Sequence, residues 1–241
     1  MVSKSIMISV LILFFSFFVG CATQAKISTE LTEEQLWAIA LSGIMTELNN
    51  DTHLTLKSRY FSGKKIYLEV LKRDWEINNK DELLETLDSL EKGGHTASFN
   101  LIKKLIIEDK GDIEKILEKY QLEDYEINRL MFTLANWHIY ENMTIRSWDF
   151  GRSIALCRWG YDVGFLTEKE AWEKIMYYAK QIQPLYGSWD EYGFSYFGGR
   201  LFWASSAGSV VDDYITKTSE VYNRLISESG YWHSLRWDIK L

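Results

Sequence analysis

A single proline, Pro184, in a chain of 241 residues leaves almost the whole sequence without the residue that most reliably breaks a helix. The glycines fall mostly between segments of apolar periodicity, so the chain reads as helices joined by short turns. No run alternates strictly enough to read as a strand. Helix starts are marked by residue pairs whose side chains can satisfy exposed amides reciprocally: Thr32 with Gln35, Thr167 with Glu170, Ser188 with Glu191 and, more loosely, Asn79 with Glu82. The pattern predicts helices near residues 32–48, 80–92, 96–108, 112–120, 124–141, 146–159, 168–182, 189–206 and 211–227. The stretch from Lys57 to Trp75 is ambiguous and also leans helical. Gly93-Gly94 and Gly160 read as helix stops, where glycine adopts the left-handed conformation readily. The expectation is an all-α, compact domain of about nine to ten helices over residues 32–241. Its core is rich in tryptophan, and a soft internal boundary near residue 121 does not divide it.

The amino terminus has a different character. Lys4 precedes an apolar run from Ile6 to Val19, which ends at Gly20-Cys21. That run is shorter than the roughly 20 residues that a membrane span needs, and it has the form of a secretory signal over residues 1–20. The Val19-Gly20-Cys21 ending resembles the lipobox of bacterial lipoproteins, with Phe18 where leucine is more usual. The resemblance implies cleavage before Cys21, acylation of its thiol (palmitate or a similar chain) and a short tether over residues 21–31. A plain signal peptide or an uncleaved anchor is the alternative. The expected location is therefore a bacterial cell envelope, with the membrane as one partner through Cys21. With Cys21 acylated, Cys157 has no partner for an intramolecular disulfide and reads as a small buried hydrophobe. A net charge of −7 without a basic stripe argues against nucleic acid.

Three constellations could carry chemistry. In "RSWDFGRSIALCRWGYDVGFLTEKEAW", residues 146–172, Trp148, Asp149 and Arg152 share a helix face with Ala155, Leu156 and Trp159. A charge in line with an apolar stripe needs a partner. Arg152 is expected either to pair with Asp149 and fix helix packing, or to build an anion site with Arg158 and Arg200. In "SWDEYGFSYFGGRLFW", Trp189, Tyr192, Tyr196 and Trp203 recur at helical spacing and read as core. Arg200 there could stack on a ring or pair with Glu191 or Asp149. Gly198-Gly199 inside the same pattern points to a close approach, by a neighbouring helix rather than a ligand. Finally, His95 follows a glycine turn at a helix start, where it could cap, pack, act as a base or bind metal. No HExxH, paired ExxH or CxxC pattern accompanies it or His138 and Glu141, so neither metal nor cofactor is expected. Ser62 to Lys65 and Lys217-Thr218-Ser219 match serine-enzyme motifs only by chance, since both fall in helical patterns.

The segments just quoted, together with "LTEEQLWAIALSGIMTELNND", "DWEINNKDELLETLDSLEKGGHTASF" and "SGYWHSLRW", resemble the bacterial domain-of-unknown-function family 1266 over nearly all of the chain after Cys21. The resemblance implies no reaction. It does imply that Gly94, His95, Trp148, Asp149, Arg152, Arg158, Gly160, Gly164, Glu170, Ala171, Trp172, Ser188, Trp189, Gly199, Arg200 and Trp203 hold motif positions. The sequence departs at Gly230-Tyr231, where proline is expected between serine and tryptophan, and the lipobox is not general to the family. The function expected on these grounds is a binding module for an envelope protein or peptide, in the manner of an inhibitor or immunity factor. One rival is a hydrolase-like enzyme with His95 as base, Asp149 as its orienter, and Arg152 and Arg200 on an anionic substrate. Another is a small-molecule binder with aromatic walls and Arg200.

Overall fold

The computed structural model describes residues 31–59, 63–208 and 212–241, with residues 212–214 described in backbone only. The signal, Cys21 and most of the tether lie outside the described residues, as does Ser62. Every regular element among the described residues is helical: α1 (Glu33–Ala40), α2 (Gly43–Leu48), α3 (Gly63–Trp75), α4 (Lys80–Glu91), α5 (Gly94–Glu108), α6 (Ile113–Lys119), α7 (Asp124–Ala135), α8 (Trp137–Tyr140), α9 (Arg146–Val163), α10 (Glu168–Ile182), a 3-10 turn (Gln183–Leu185), α11 (Trp189–Ser205) and α12 (Asp212–Ile226). No helix among them is long and apolar enough to cross a membrane.

Side-chain caps explain several of the starts. Thr32 and Gln35 bond reciprocally at α1, Thr167 and Glu170 at α10. Asn79 and Ser188 accept from the third amide of α4 and α11.

Three expectations need correcting. The helix expected over 32–48 breaks between α1 and α2, because its carbonyls are taken from outside: Trp232 Nε1 donates to Ala40 O at 2.8 Å and Tyr192 Oη to Leu41 O at 2.6 Å. The helix expected over 124–141 breaks at Asn136, whose own side chain donates to Phe132 O at 2.8 Å. Gly160 is not a stop, since α9 runs through it to Val163 and is capped by Gly164 at φ 89°. A Cβ on Gly160 would lie 2.5 Å from Leu83 Cδ2, so the glycine serves the α4 contact.

Helix α9 is the axle of the molecule. Every residue from Ser147 to Gly160 is buried, which a helix can sustain only when neighbours surround it. Here α2, α3, α4, α5, α10 and α11 do so. The main core includes an aromatic cluster in which Trp189 stacks on Trp232 and meets Trp37 and Trp237 at 5.1 and 4.9 Å between centroids. A smaller cluster joins Phe99, Ile102, Ile116, Leu130 and Phe202, and so draws on both sides of residue 121.

Candidate functional site

Helix α5 starts without a local cap, because Gly93 at its N-cap has no side chain. Asp149 on α9 supplies the missing acceptor. Its Oδ1 accepts the His95 amide at 3.0 Å, and its Oδ2 accepts the Thr96 amide at 2.9 Å and the Thr96 hydroxyl at 2.5 Å. The approach is so close that a Cβ on Gly94 would sit 2.5 Å from Oδ1, and Gly94 also adopts φ 46°. Only glycine suits both demands.

Arg152, nearly one turn further along α9, completes the charge balance. Its Nη2 donates to Asp149 Oδ1 at 2.6 Å and to His95 Nδ1 at 2.9 Å, while Nε donates to Trp148 O at 3.0 Å. The guanidinium lies 4.3 Å from the Trp148 ring centroid. Nη1 makes no hydrogen bond among the described residues.

Since His95 accepts at Nδ1, its proton resides on Nε2. Burial, with the positive charges of Arg152 and Arg129, pushes its pKa down to about 3, so the ring is neutral near pH 7. Asp149 holds the backbone of His95 rather than its ring: the nearest oxygen lies 3.9 Å from Nδ1.

These groups form one side of an open groove of about 810 Å³. Trp75, Trp148, Trp159 and Trp203 line its walls, and His95, Arg152 and Arg200 its polar side. Asp74 and Glu76 also border it, Asp74 being paired with Arg73 at 2.5 Å. Behind the arginines lies the Tyr196 hydroxyl, fully buried and without a hydrogen-bond partner among the described residues. Burial drives its pKa up to about 12 against the pull of the Arg200 and Arg152 charges.

His95, Trp148, Asp149, Arg152, Arg200 and Trp203 thus come together, and the remaining motif residues serve elsewhere. Arg158 is not part of an anion site. It is buried, and its donors go to Ser42 Oγ, Thr46 Oγ1, Thr52 O and Thr55 O at 3.3, 2.8, 2.6 and 3.1 Å, pinning the segment after α2. Glu170 completes its capping box and pairs with Lys80 at 2.5 Å. Trp172 packs against the core, and Trp189 Nε1 donates to Leu235 O at 2.9 Å. Glu191 meets the Gly187 amide at 2.7 Å. The Cys157 thiol is buried and pushed up to about 12 by burial, so it does not behave as a nucleophile. Gly198 and Gly199 admit Met143 and Trp148, whose atoms would lie 2.7 and 2.4 Å from an added Cβ.

Sequence reasoning missed Trp75 and Arg129. Trp75 sits 5.6 Å beneath the Arg152 guanidinium. Arg129, an arginine within an apolar stretch of α7, lies over Phe202 at 5.1 Å. Its only signal was a charge among apolar neighbours. No group of three or more metal-ligating side chains occurs among the described residues.

A family model described as "Protein of unknown function (DUF1266)" matches residues 70–237. The chain belongs to this family. It is also similar to "Uncharacterized protein YbeU" of Escherichia coli (strain K12), at 29% identity over 176 residues that cover 72% of this chain and 73% of the relative. No solved structure matches. Within the DUF1266 span fall all four tryptophans of the groove, His95, Arg152 and Arg200, whereas the apolar Met45 and Leu48 that complete one wall lie before it.

Proposed function

We propose that this domain is a binding module, held at a bacterial envelope membrane by an acyl chain on Cys21, that takes a peptide segment of a partner protein into the tryptophan-walled groove. The observation that carries the reading is the convergence of four tryptophans with three arginines, of which Arg73 is paired with Asp74, on one concave surface of about 810 Å³. Tryptophan and arginine dominate binding hot spots, and a groove of this size suits a ligand of several residues. Hydrolysis is less well served. A general base works best with a pKa near the working pH, whereas His95 is pushed down to about 3 and its Nδ1 lone pair is engaged by Arg152. The anchor is supported by the sequence around Cys21, and one acyl chain holds a membrane only weakly unless a second signal helps.

The test uses the full chain in detergent, cross-linked to solubilised envelope proteins, beside Trp203→Ala. A partner retained by the wild type and lost by the variant is expected. Equal retention would place recognition outside the groove. For the anchor, Cys21→Ser should move the chain out of the membrane fraction, and unchanged membrane association would overturn it.

A further inference from the structure

We infer that the groove receives a free carboxylate, the C-terminal end of the bound peptide, between Arg152, His95 and Arg200. The inference rests on the binding-module reading above and names the chemistry of its ligand. Two donors are oriented by bonds already described. Arg152, which lines the groove, spends Nε and Nη2 inside the protein, which fixes the guanidinium plane and leaves Nη1 uncommitted among the described residues. His95 is held by the same Nη2, so its Nε2–H, which makes no bond among the described residues, is the donor that remains. Arg200 lines the same surface. A planar carboxylate matches such a row of N–H groups, and charge-assisted bonds of this kind are the strong ones.

Behind this row the Tyr196 hydroxyl is fully buried, finds no acceptor among the described residues and does not itself line the groove, so it takes no bond from a ligand there.

The surroundings select the kind of anion. Asp149 already takes part of the Arg152 charge, Asp74 and Arg73 at the rim pair with each other, and Glu76 borders the groove, so a doubly charged phosphate meets more repulsion than a single carboxylate. Across a chain of net charge −7, a strongly acidic partner is repelled as a whole. A terminal carboxylate brings one charge only. The tryptophan walls then face the last side chains of the peptide, which favours apolar or aromatic residues there.

Two pools of pentapeptides randomised over their last three positions, one ending in the free acid and one in the amide, test this against the full chain immobilised in detergent. The expected result is enrichment of apolar-ended peptides from the acid pool alone, with matched amides weaker by at least about tenfold. Arg200→Gln and His95→Gln should each bring a selected acid down towards its amide, while circular dichroism shows the fold retained. Acetate should displace the selected peptide better than inorganic phosphate does. Equal enrichment of acids and amides would overturn the carboxylate while leaving peptide binding in place. Enrichment from neither pool would overturn both. Acid-specific binding that survives both substitutions, or better displacement by phosphate, would overturn the assignment to this set of donors.

Discussion

Arg152 and Arg158 stand less than two turns apart on α9, and both are buried, yet they do different work. Arg158 meets only hydroxyls and backbone carbonyls, with the charges of Asp51 and Asp162 acting from further away. Its donors are directed inward, and its role ends with holding the segment after α2. Arg152 meets a carboxylate that is itself committed to the start of α5, and it lines a groove. The comparison teaches that burial of a charge does not separate structure from recognition. What separates them is where each residue faces: the Nε that Arg158 leaves over is sealed in the interior, whereas Arg152 lines a groove.

The largest effect expected is from Asp149→Ala. It abandons Arg152 in a buried setting and strips two amides of their acceptor, so denaturant unfolding should show a loss of about 3–5 kcal/mol. A loss below about 1 kcal/mol would mean that Arg152 finds water easily, and the contrast with Arg158 would collapse. Next comes Arg158→Met, which keeps volume but leaves four acceptors without donors. About 2–3 kcal/mol is expected, together with faster proteolysis between Asn49 and Arg59. Unchanged protection of that segment would show that Arg158 does not pin it.

Acid titration probes the same contrast through His95. The unfolded histidine takes up a proton below its usual 6.5, whereas the folded one resists until about 3. Stability therefore falls as pH drops between those values, at up to about 1.4 kcal/mol per pH unit. The His95 share of the slope should vanish in His95→Gln, leaving the share of carboxylates such as Glu170, whose pKa is held down to about 2, and an identical acid limb in wild type and variant would contradict the neutral His95 that accepts from Arg152. The smallest change is expected at a purely local cap. Thr167→Ala at the start of α10 should cost about 1 kcal/mol, well below Asp149→Ala, because it removes no buried charge.

The sequence carried the helices and one face of the site. Trp148, Asp149 and Arg152 could be aligned because i,i+3 and i,i+4 spacing is a local property. The object that Asp149 meets could not be aligned, since a remote cap leaves only an absence behind, namely Gly93 with no capping side chain of its own. The same physics explains the misread helix ends. The break after Ala40 is made by Trp232 and Tyr192, more than 150 residues away in sequence by separations of 192 and 151. Gly160 looked like a stop because local rules know nothing of Leu83. Arg158 was grouped with Arg152 because both are arginines near one stripe, and only the fold shows that hydroxyls on α2 claim it.

The contact between Trp232 and Ala40 also bears on how this chain comes into being. Residues 192 positions apart share a hydrogen bond, and Trp37 meets the Trp237 ring at 5.0 Å. During synthesis the first helices emerge long before these partners exist, and domains complete their folding only when their last essential contacts are available. Trp37 therefore meets Trp189 first and lacks the Trp237 ring until that segment has been made. A chain that stopped before Trp232 would leave the first helix with Trp189 but without the indole that takes the Ala40 carbonyl and the ring that closes over Trp37.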